Sequence, residues 1–320
     1  MPSHPAPKLD PKERHFDIPG PRAGMSLFLR HLPPSAAPLG RAVIYVHGAT
    51  FPSALSIAHR FSGRSWRDEL CAAGFDVWEF DFYGFGHSAR YPEMSQEPTG
   101  HPPLCTAADA GGQLEAVVDF VLSQQAAVSL SLISHSWGSM PAGLVASKHP
   151  RRIDNWVLFG PIAKRAKRRY ESPPSFPSWR AVSIEDQWRR FIEDVPADEP
   201  PVLLRSEFDV WAASYLDSDP DSRTHGPASV KTPTGPVSEI IGAWHGNLAY
   251  DPGAVKAPVS IIRGAWDGLI PDEDAKWLFD AFGQSPAKRD IKISHGTHLM
   301  HLEKTRSALW RHSVACLLGG

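Results

Sequence analysis

Residues 41–46 (RAVIYV) form a β-branched run that is apolar on both faces and ends at His47-Gly48. A strand without a polar face needs cover on both sides, which points to a parallel sheet layered between helices. Further strands are expected at 25–32, 75–80 (FDVWEF), 128–133 (VSLSLI), 153–159, 258–263 (PVSIIR) and 289–294. Helical stretches fall between them at 65–73, stopped by Gly74, and at 106–122, 140–148, 272–282 and 299–317. This rhythm predicts an α/β fold with a mostly parallel central sheet flanked by helices.

The rhythm breaks between 161 and 250, where prolines, tryptophans and charges replace clean strands. The 31 prolines cluster around 2–38, 92–103, 173–177, 196–201 and 227–236. Proline is poorly tolerated inside helices and central strands, so these clusters mark loops and arms. The simplest organisation is a core domain of residues 1–160 and 251–320, interrupted by a largely helical cap at 161–250.

Bulk properties exclude several classes. With 42% hydrophobic and 21% charged residues, the 320-residue chain can bury a large core. A net charge of −2 offers no field for nucleic acid or an anionic membrane. No apolar run approaches the roughly 18 residues of a membrane span. The polar, proline-rich start has no secretory apolar region. Cys71, Cys105 and Cys316 are too scattered for a disulfide framework or a metal motif. A cytoplasmic protein is therefore expected, with no cofactor and no metal, and with self-association left open.

The chemistry concentrates in a few segments. Ser134-His-Ser136-Trp-Gly138 joins a strand to a helix, and a serine at such a tight turn is pushed out with its hydroxyl exposed. Gly86-His-Ser88 competes, but no glycine follows at the required position and Arg90-Tyr-Pro92 argues against a helix there. Arg263-Gly-Ala-Trp-Asp267-Gly-Leu-Ile-Pro271 places an aspartate just past a late strand. Asp272, Glu273 and Asp274 read instead as first-turn helix acids. The last strand leads into Ser294-His295-Gly-Thr-His298-Leu-Met-His301-Leu-Glu303.

From about residue 25 to 318 these motifs resemble the α/β-hydrolase superfamily, esterase- and lipase-like, with a cap domain. The resemblance implies the chain order nucleophile, acid, histidine, hence Ser136, Asp267 and His298. His295 and His301 then read as ordinary surface histidines. Ser134 departs from the family pattern, which has glycine there. The resemblance makes Val46-His47-Gly48 the first oxyanion loop, with one N–H from Ala49 (Thr50 the alternative) and another from Trp137. His47 would brace that loop. Asp81-x-x-Gly84-x-Gly86-x-Ser88 would be the glycine-rich loop that shapes the site.

The cap falls where many members of the superfamily carry a lid. Trp179, Trp188, Trp211 and Trp244 could line an apolar or aromatic pocket, or form the cap's own core. Thr50, Phe51 and Met140 lie beside the site motifs and are expected to touch the substrate. The basic run 164–169 reads as a solvated helix face, with attraction of an anionic substrate as the alternative. The expected function is hydrolysis of a carboxylic ester of a small molecule with an apolar or aromatic acyl group, through an acyl-enzyme. Amide or peptide, thioester and carbon–carbon hydrolysis, acyl transfer, and a non-catalytic binding protein are the alternatives. An epoxide hydrolase or dehalogenase would need aspartate at 136.

Overall fold

A computed structural model describes residues 6–125, 129–165, 174–224 and 226–320. Eight strands form one sheet: β1 (Arg14–Pro19), β2 (Ser26–Leu32), β3 (Ala42–Val46), β4 (Asp76–Phe80), β5 (Leu130–His135), β6 (Ile153–Phe159), β9 (Val259–Gly264) and β10 (Lys288–Ile293). Their spatial order is β1-β2-β4-β3-β5-β6-β9-β10. β2 runs antiparallel to both β1 and β4, and the remaining pairs are parallel.

Helices cover both faces, as the two-sided apolar strands require. α2 (Ala107–Gln125) and α3 (Ser139–Lys148) bury Leu114, Val118 and Val145 on one face. α1 (Trp66–Ala72) and α8 (Arg306–Leu318) bury Trp66, Leu70 and Leu309 on the other. α1 starts at a capping box, in which Ser65 Oγ accepts the Asp68 N–H and Asp68 accepts the Ser65 N–H. α7 (Asp272–Ala281) connects β9 to β10.

The structure departs from the sequence reading at several places. β1 lies inside the proline-rich arm, where its mixed burial hid it. The last helix begins at Arg306, because Met300–Leu302 make a 3-10 turn and Glu303 then adopts extended backbone. Between β6 and β9 lie α4 (Ile184–Ile192), α5 (Arg205–Asp217) and α6 (Gly235–Trp244). The same segment holds a short antiparallel pair, β7 (Trp179–Ser183) with β8 (Ser229–Pro233), where no strand was expected. Phe191, Phe208, Trp211 and Tyr215 share a small core above the sheet with Phe51 and Leu299. α6 is different, because Ile240 and Ala243 pack into the main core. Val128 and most of the basic run, 166–169, lie outside the described residues. Among the described residues no helix is long and apolar enough to cross a membrane.

Ion pairs tie the sheet's antiparallel edge to α1. Glu13 Oε1 accepts from Arg30 Nη1 at 2.5 Å and Glu13 Oε2 from Arg67 Nη1 at 2.6 Å. Glu79 Oε1 accepts from the same Arg67 nitrogen at 2.8 Å. All four side chains are buried. Deleting one member strands its partners' charge away from water. Arg67→Met is predicted to cost about 3–5 kcal/mol of unfolding free energy in urea titration. Lys276→Ala removes only an exposed pair with Asp280 and should leave the midpoint unmoved. Equal behaviour of the two variants would contradict this reading.

Candidate active site

Parallel strands deliver their C-terminal ends to one rim of the sheet, and the polar motifs gather there. His47 follows β3, Ser136 follows β5, Gly160 follows β6, Asp267 comes shortly after β9, and the loop carrying His298 follows β10. Ser136 is held at φ 56°, in the left-handed region, between β5 and the 3-10 turn that opens α3. That corner turns its side chain out of the sheet. Gly138 is obligatory there, since a Cβ would lie 2.5 Å from the carbonyl oxygen of His47 and 2.7 Å from that of Val46. The Ser136 turn and the β3 loop are thus in close backbone contact.

Three side chains form one hydrogen-bonded chain. Ser136 Oγ lies 2.8 Å from His298 Nε2, and His298 Nδ1 lies 2.9 and 3.0 Å from the two oxygens of Asp267. All three residues are buried. Asp267 can only accept, so His298 Nδ1 carries a proton and Nε2 faces the serine hydroxyl as an acceptor. The Leu269 N–H fixes the carboxylate from the other side at 3.0 Å. Gly160 makes room for the pair, since a Cβ on it would sit 3.0 Å from both Asp267 Oδ2 and His298 Nδ1.

The sequence matches the serine aminopeptidase S33 family over residues 42–305. The chain belongs to that family of α/β-hydrolases. Solved structures of low sequence identity share its fold. A thioesterase domain from the curacin biosynthetic pathway is 18% identical with a TM-score of 0.61, covering 94% of this chain and 98% of that one. A serine hydrolase from the polyaromatic-hydrocarbon-degrading bacterium Cycloclasticus zankles is 17% identical, also at 0.61, with 96% and 98% covered. The enol-lactonase from Burkholderia xenovorans LB400 is 15% identical at 0.55, with 92% and 98% covered. Among curated protein sequences none matches.

In this S33-family hydrolase the competing residues are otherwise employed. Ser88 Oγ donates to the Asp81 carbonyl and accepts the Phe28 N–H, so it holds the 81–88 loop. Asp272 pairs with Arg263 and Lys292, which hold its carboxyl down at about 2. Asp274 pairs with Arg165. His47 accepts the Phe82 N–H at Nε2 and bonds the Gly48 carbonyl through Nδ1, bracing the β3 loop. Ser134 Oγ accepts the Trp156 indole N–H at 2.9 Å.

The expected pocket residues divide. Ala49, Thr50 and Phe51 line the cavity beside Ser136. Trp137 follows Ser136 directly, but its side chain points into the core and donates to Glu239. Met140 is buried in the main core, because it sits on the sheet-facing side of α3. None of the four tryptophans lines that cavity. Trp211 is cap core, bonded to the Leu55 carbonyl and set edge-on to Phe51. Trp188 lies under Arg205, Trp244 under Arg165, and Trp179 under Lys231. His295 is exposed as expected, but His301 is buried against Phe159 and His135 rather than at the surface.

Three features escaped the sequence reading. Glu303 takes both the N–H and the hydroxyl of Thr297, clamping the loop that carries His298. Burial pushes its carboxyl up to about 7, against the Thr297 bonds. Arg190 of α4 reaches into the cavity at Ser136. That cavity holds only about 10 Å³, room for at most one water. A larger cavity of about 330 Å³, between the N-terminal segment and the end of α5, touches none of Ser136, His298 and Asp267. Among the described residues no cluster of three or more His, Cys, Asp or Glu could hold a metal ion.

Ser134 supports a prediction. Ser134→Gly leaves the Trp156 N–H buried without a partner and should cost about 1–3 kcal/mol of stability. In a Trp156→Phe background the same change should cost markedly less, as a double-mutant cycle by urea denaturation would show. An equal cost in both backgrounds would remove this bond as the reason for serine at 134.

Proposed function

We propose that this hydrolase cleaves a carboxylic ester through an acyl-enzyme on Ser136. The observation that carries the reading is the unbroken chain from Ser136 Oγ to His298 to Asp267, with no step longer than 3.0 Å. His298 Nε2 accepts the serine proton as Oγ attacks the acyl carbonyl. Asp267 holds the Nδ1–H tautomer and stabilises the imidazolium that forms. The N–H groups of Ala49 and Trp137 take the developing oxyanion. Each such donor is worth about 3 kcal/mol in the transition state.

The imidazolium then gives its proton to the departing alkoxide, leaving an acyl ester on Ser136. Water attacks that ester with His298 again as base, and the acid leaves. Residues 161–250 act as the lid over this centre, and Phe51 and Leu299 give its mouth an apolar lining. Cys71, Cys105 and Cys316 are all buried free thiols, which suits a reducing cytoplasm.

Pre-steady-state hydrolysis of 4-nitrophenyl butyrate tests the reading. A nitrophenolate burst stoichiometric with enzyme is expected for the wild type and none for Ser136→Ala. Asp267→Asn should fold normally and lose about 10⁴-fold in kcat. Undiminished turnover by Ser136→Ala would overturn the proposal.

A further inference from the structure

Arg190 differs from the arginines of this chain that face acids. Arg30 and Arg67 face Glu13, Arg263 faces Asp272 and Asp290, Arg165 faces Asp274, and Arg60 faces Asp10 and Asp68. Among the described residues Arg190 has no such partner. Its Nη1 donates to the Thr50 hydroxyl at 2.5 Å, and that is the only side-chain acceptor it finds among the described residues. Glu193 and Asp194 are the nearest acids along its helix end, and neither bonds it. Asp194 turns toward Gly268 and takes its N–H, and burial pushes the Asp194 carboxyl up. Arg180, Tyr215 and His135 are the other titratable groups within its field, and none is a carboxylate.

A guanidinium carries five donors in a rigid fork, matched to the two oxygens of a carboxylate. One neutral hydroxyl leaves most of them idle. A half-buried cation without a counter-ion is poorly compensated. Arg190 also lines the same small cavity as Ser136 and Ala49, so whatever fills the fork lies within a few bonds of the reacting carbonyl.

We infer that Arg190 is a specificity-determining residue that receives a carboxylate of the substrate, which makes the preferred substrates carboxylate-bearing esters. The inference rests on the acyl-enzyme reading of Ser136. On binding, the substrate carboxylate joins the guanidinium beside Thr50 while the ester is presented to Ser136.

Matched ester pairs test this. With the charge on the acyl side, 4-nitrophenyl hemiglutarate is compared with 4-nitrophenyl valerate. With the charge on the alcohol side, the butyrate ester of 4-hydroxybenzoate is compared with phenyl butyrate. The wild type should prefer the charged member of one pair by about 100-fold in kcat/KM, and that pair identifies the side that carries the carboxylate. Arg190→Met should bring the preference ratio close to one, through KM more than kcat, and Arg190→Lys should restore part of it. No preference in the wild type, or an equal slowing of both members in Arg190→Met with the ratio kept, overturns the inference. The second outcome would leave Arg190 as a tether between α4 and Thr50. Wild-type labelling by a neutral fluorophosphonate separates the two claims. Labelled Ser136 without charge preference sinks the carboxylate inference alone, whereas unlabelled Ser136 sinks the acyl-enzyme reading and this inference with it.

Discussion

The left-handed backbone at Ser136 is the constraint on which the site depends. A residue with a side chain held there costs about 1–3 kcal/mol, and it persists only where the surroundings over-determine it. Here β5 fixes one side of the turn through its parallel pairing with β3 and β6. On the other side Gly138 is pressed against the carbonyls of His47 and Val46. Ala49 of the same loop lines the cavity beside the serine. One close approach therefore sets both the position of the hydroxyl and the wall in front of it.

Asp267 and His298 reach that point from separate strands, so their alignment is a property of the sheet's rim. Asp267 leaves β9, His298 follows β10, and Gly160 at the end of β6 leaves space for them to meet. The Glu303–Thr297 clamp holds the histidine loop, and the same glutamate ends the 3-10 turn that delays the last helix to Arg306. The irregular start of α8 is thus a consequence of how His298 is fixed. The buried Glu13, Arg30, Arg67 and Glu79 group lies at the far, antiparallel side of the sheet, where it locks the edge strands rather than the chemistry.

The α/β core was legible because its signals are local. Two-sided apolar strands, Gly74 after a helix and the Ser134–Gly138 turn each speak within a few residues. β1 was not legible, because an edge strand with a mixed face next to prolines has no clear period. β7 and β8 are short and polar, and their pairing joins residues some 50 apart in sequence, from Trp179 to Pro233. The tryptophans suggested a pocket lining, yet burial of large rings is what a small cap core needs, and that demand claimed Trp211. Arg190 carried no signal, since nothing in IEDQWRRFI tells which arginine turns inward. Only the tertiary placement of α4 over the β3 loop shows it.

Peptide-mapped labelling with a neutral fluorophosphonate tests the central claim most directly, because such a probe reports an activated serine without requiring the natural substrate. The account predicts a single phosphonyl adduct on the Ser136 peptide of the folded wild-type protein, and none on Ser136→Ala. An adduct on Ser88 or Ser134 instead, or no adduct on a protein shown to be folded, would contradict it.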